Sequence, residues 1–86
     1  MFDHRKTGQI IPDIEAAGFQ WLMRSTGKRG DKAYFANVMF PEWQPTVPAQ
    51  AGAHYAWASN PWMALFDAFE MAKQHRQMQR DEARAH

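Results

Sequence analysis

The chain has 86 residues, ten Lys+Arg against nine Asp+Glu, and no cysteine. A chain this short buries only about 60–65 % of its unfolded surface, which allows one domain with a thin core. The missing cysteine excludes a disulfide scaffold and every thiolate metal site. The net charge of +1 speaks against a protein that coats nucleic acid by charge alone.

With 45 % apolar and 14 % aromatic residues, the composition is that of a folded domain. No apolar run approaches the roughly 18 residues of a membrane span, so no membrane partner is expected. The start, MFDHRKTGQII, has no apolar core of a secretory signal. A reducing, cytoplasmic setting is the default. Charge is uneven along the chain. Residues 1–40 hold six basic and four acidic side chains, residues 41–72 hold three acids and no Lys or Arg, and residues 73–86 hold four basic and two acidic ones.

In chain order, residues 1–9 are polar and aperiodic and read as a loose arm. Pro12 suits the first position of a helix of one or two turns, with Asp13 and Glu15 at its positive end and Gly18 just past its close. Residues 19–24 and 32–40 alternate, with Phe19, Trp21 and Met23 on one face and Tyr34, Ala36, Val38 and Phe40 on one face. Thr26–Asp31 joins them with two glycines and solvated charges, predicting a β-hairpin. Residues 41–52 hold three prolines and form a surface loop carrying Trp43. Residues 53–58 alternate again as a third strand. Tyr55 and Trp57 share one face of it, and a sheet under one helix needs such aromatics as its core.

Asn60-Pro61 is a helix start, an N-cap followed by a proline whose missing N–H is harmless there. No glycine or proline interrupts the chain from there to Arg80. In projection, Trp62, Leu65, Phe66 and Phe69 form one stripe, expected to lie on the sheet, with Ala64, Ala68 and Met71 opposite and Met78 further on. Lys73, Arg76, Arg80 and Arg84 share a face that continues the stripe. Residues 73–86 are therefore expected as a polar extension beyond the core.

No catalytic or metal set emerges. The four histidines, His4, His54, His75 and His86, show no ligand spacing. No serine lies in a nucleophile turn, and Asp13/Glu15 and Asp67/Glu70 are explained by helix ends and edges. No cofactor is implied. Three surfaces remain as partner-binding candidates: Lys28, Arg29 and Lys32 at the hairpin tip, Trp43 in the proline loop, and Arg76, Arg80 and Arg84 on the helix extension. Tryptophan and arginine are the usual anchors of binding, and the same cations suit nucleic acid, with Phe35 as an exposed ring on the other face of the sheet.

The expected fold is α+β: a three-stranded antiparallel sheet with one long C-terminal helix on one face. A two-stranded hairpin plus helix in a homodimer is the alternative. The layout of residues 18–72, ending in GAHYAWASNPWMALFDAF at Gly52–Phe69, resembles small accessory proteins of phages and mobile elements, anti-CRISPR inhibitors among them. That resemblance implies a non-enzymatic, stoichiometric inhibitor of a host protein or nucleoprotein complex in the bacterial cytoplasm. The β-β-β-α order is also similar to the double-stranded-RNA-binding domain. Pro61-Trp62-Met63 stands where that family has consecutive lysines, so no RNA-contact residue carries over.

Overall fold

The computed structural model describes residues 4–85. It contains α1 (His4–Ala16), β1 (Gln20–Ser25), β2 (Tyr34–Met39), β3 (Ala53–Ala58) and α2 (Pro61–Ala85), with single 3-10 turns at Gly30–Lys32 and Ala49–Ala51. The strands form one antiparallel sheet in the order β1-β2-β3. Helix α2 lies across one face of it, and α1 packs beside α2 and against β1. The architecture is the α+β arrangement expected. All three strands pair within one chain, so a two-stranded unit completed by a second copy is not needed.

The N-terminal expectation is corrected. Residues 4–9 are not a loose arm but the first half of α1, a helix of 13 residues that carries Pro12 inside it. The first three residues of that arm lie outside the described residues. An internal proline costs about 3 kcal/mol. Against it stands the burial of Ile10 and Ile14, 6 % and 0 % exposed, each contributing about 1.5–3 kcal/mol. The close of α1 is as expected. Gly18 takes φ +86°, its N–H bonds the Glu15 carbonyl at 3.0 Å and the Phe19 N–H bonds the Ile14 carbonyl at 3.1 Å. These are the paired bonds of a left-handed helix cap.

At the hairpin tip, Gly27 supplies φ +81°. The Thr26 hydroxyl donates to the Lys32 carbonyl and, at 3.1 Å, to the Ala33 carbonyl, and accepts the Lys28 N–H at 3.1 Å. Asn60 caps α2, its Oδ1 accepting the Met63 N–H at 2.9 Å.

The orientation of α2 differs from the expected one. Ala64, Leu65, Ala68 and Ala72 are 0 % exposed and Phe69 is 7 %, whereas Phe66 is 38 % and Met71 45 %. Trp62 is half-buried and stacked on Phe66, ring centroids 5.1 Å apart. The helix is turned from the expected stripe by less than one residue step of about 100°. Small side chains let it come down onto Ala36, Ala56 and Ala58 of the sheet, all buried, so volume is matched by alanine meeting alanine. The extension at 73–86 also begins later than expected. His75 and Arg76 are partly buried, and residues 80–84 are exposed.

Candidate functional site

Register decides which side chains share the open face. Phe35 lies opposite Arg24 on β1 and Trp57 on β3, and Asn37 lies opposite Leu22 and Tyr55. Alternation along each strand puts all six on the face away from the helices. Tyr55 and Trp57 were expected in the core, and that is corrected. They are 38 % and 44 % exposed, while His54, Ala56 and Ala58 point inward at 6–7 %.

The rings form one platform. Phe35 stacks on Tyr55, centroids 5.6 Å apart and planes at 27°, and leans on Trp57 at 5.2 Å and 56°. Two cations sit on it. The Arg24 guanidinium is 5.3 Å from the Phe35 centroid and the Lys32 ammonium 4.9 Å from that of Trp57, within the range where a ring's quadrupole attracts positive charge. Leu22, 47 % exposed, borders the rings. Asn37 forms the floor, 4 % exposed, its Oδ1 accepting the His54 N–H at 3.0 Å.

The sequence-predicted site residues do not make one site. Lys28, Arg29 and Lys32 are exposed at the tip, and Lys32 joins the platform. Trp43 is half-buried. Its ring N–H donates to the Pro48 carbonyl at 3.1 Å and the ring packs on the core, so it anchors its own loop. Arg76 is equally occupied. Its guanidinium lies 3.9 Å from the Phe40 centroid and donates to both Glu42 oxygens, at 2.9 and 3.1 Å. This pairing holds the Glu42 carboxyl below its ordinary value. Arg80 lines a cleft of about 340 Å³ with Lys73, Arg76 and Phe19, and Arg84 is exposed.

Sequence reasoning missed Tyr55 and Trp57 as surface residues and found Phe35. The available signal was β3 itself, whose other face, His54, Ala56 and Ala58, is small enough to sit under a close helix. It also missed that His54 and His75 meet, with His54 Nε2 2.8 Å from His75 Nδ1. Among the described residues no group of three His, Cys, Asp or Glu is placed to hold a metal ion, and no helix is long and apolar enough to cross a membrane. No family model, no curated protein and no solved structure matches this chain.

Proposed function

We propose that the chain is a non-enzymatic binding protein that takes single-stranded nucleic acid on the open face of its sheet. One observation carries this reading: three aromatic rings, Tyr55, Phe35 and Trp57, in one exposed cluster whose edge holds Arg24 and Lys32. Unpaired bases present flat π-faces to such rings, and the phosphates between them call for cations at the rim. Segment 24–32 supplies four cations, Arg24, Lys28, Arg29 and Lys32, against one acid, Asp31. A duplex hides its base faces. The start of α2, Asn60-Pro61-Trp62-Met63, also offers no cation to grip a duplex backbone. The lack of cysteine accords with work in a reducing cytoplasm.

The test is fluorescence anisotropy with labelled single-stranded and duplex oligonucleotides of RNA and DNA. Trp57→Ala and Phe35→Ala should each weaken single-strand binding by about 5- to 150-fold, the worth of one stacked base at 1–3 kcal/mol. Lys32→Gln should reduce the dependence of log K on log salt by about 0.7. Single-strand binding that is absent at low salt, or unchanged in both ring variants, removes the reading.

Leu22 favours a second one. An exposed aliphatic side chain adds little to base stacking and suits a protein interface. On this reading the platform is the hot spot of a stoichiometric inhibitor seated on a host defence complex. Binding that is insensitive to salt and weakened by Leu22→Ala would select it.

A further inference from the structure

At the end of the sheet away from the hairpin tip, β3 and α2 are joined by two histidines in series. His54 is 6 % exposed. Its Nδ1 lies 2.7 Å from the Val38 carbonyl and its Nε2 2.8 Å from His75 Nδ1. A carbonyl only accepts, so His54 Nδ1 carries the proton and the neutral ring's Nε2 is a bare acceptor. His75 Nδ1 must then be the donor. This leaves His75 Nε2 as the one ring nitrogen of the pair outside the chain of hydrogen bonds.

The groups facing the pair come from three directions. From α2 come His75 itself and Arg76. From β2 come the Val38 carbonyl and, just past the strand's end, the ring of Phe40, whose centroid is 5.0 Å from that of His54 and 4.9 Å from that of His75. From the proline loop comes Glu42, held by Arg76.

Two protons have unequal consequences here. The first goes to His75 Nε2 and breaks nothing. The second must go to His54 Nε2. That sets N–H against N–H at a separation fit only for a hydrogen bond, and places two imidazolium charges beside the Arg76 guanidinium. The rings must then part.

We propose that His54 and His75 form an acid-opened latch that fastens the second half of α2 to the sheet. Closed, it seats His75 and its neighbour Arg76, which covers Phe40 and holds Glu42 and hence the loop. Open, it releases residues from His75 onward together with that loop. Burial, first, and then the positive neighbours His75 and Arg76 press His54 below its ordinary value of 6.5, against the opposing pull of the Val38 carbonyl. The sign follows. The unfolded chain takes this proton below about pH 6.5 while the folded one resists it, so the contribution is complete above that pH and is lost as pH falls beneath it.

The experiment is a pH titration of the whole chain from 7.5 to 5.0, following the assigned imidazole nitrogens by NMR and amide exchange along α2. His75 should titrate first, at Nε2. His54 should stay neutral with its proton on Nδ1, and protection of amides 73–80 should fall by up to about tenfold per pH unit, the limit for one linked proton. In His54→Gln the fall should vanish. If that variant does not fold, the wild-type titration alone decides. A His54 ring that protonates at or above 6.5, or α2 protection that stays level while it protonates, overturns the latch.

Discussion

Replacing Ala68 by leucine asks whether α2 lies on the sheet through its alanines. Ala68 is 0 % exposed, in line with Ala64 and Ala72, also 0 %, and over the buried Ala36, Ala56 and Ala58. An isobutyl group where a methyl sits has no void to enter. The helix must lift or a neighbour must leave its rotamer, at a cost of about 1–3 kcal/mol. On an exposed helix face the same change is nearly neutral, since leucine and alanine differ little in helix propensity. For a domain of this size each kcal/mol moves Tm by about 4–8 °C, so a loss of about 2 kcal/mol lowers it by about 8–16 °C. The assay is thermal melting by circular dichroism, with a urea titration to show that m is unchanged. The companion pair is Phe69→Ala and Phe66→Ala. The first removes a ring 7 % exposed that meets Phe19 edge-on at 6.1 Å, at about 3–5 kcal/mol. The second removes a ring 38 % exposed and should cost well under half as much. A melting point for Ala68→Leu within about 2 °C of wild type, or equal losses for the two phenylalanines, would refute the orientation of α2.

Two further expectations concern the same helix. Truncation after Gln79 removes only exposed residues and the C-terminus and should leave Tm nearly unchanged. Truncation after Ala72 also removes His75 and Arg76 from over Phe40, which is 0 % exposed; uncovering that ring should cost about 1.5–3 kcal/mol, and an unchanged melting point would show that the second half of α2 packs on nothing. The Glu42 carboxyl, held low first by its hydrogen bond from Arg76, should titrate closer to its ordinary 4.5 in Arg76→Gln by carbon NMR. The pair's contribution is present above the unfolded value and lost as pH falls through the folded one. With Glu42 61 % exposed, it should not exceed about 1 kcal/mol.

The elements were legible because local chemistry set them. Alternation over residues 19–40 with glycines between gave the hairpin, and Asn60-Pro61 gave the start of α2, where Asn60 does cap Met63. Facing was less legible. A period of two tells that Tyr55 and Trp57 share a side, not which side. The habit of burying the larger set failed because the partner helix presents alanines, so the inner face of β3 needed Ala56 and Ala58. The same cause turned α2. Helix α1 was hidden by Pro12, whose local penalty is overridden by Ile10 and Ile14 packing on distant residues. The His54–His75 bridge, 21 positions apart in the chain, depends on the register of β3 and the roll of α2 together, which no spacing rule reports.

The cations lying over the platform also govern how two copies meet. Uncovered rings on a flat sheet invite aggregation. Here Phe35 and Trp57 each carry a positive group of their own. A second copy arriving ring to ring must displace an ammonium and a guanidinium, or bring like charges together. A polyanion meets no such barrier, because its own charge draws Arg24 and Lys32 off the rings as it approaches. The same two side chains thus keep the free chain dispersed and uncover its aromatic face to a ligand of opposite charge.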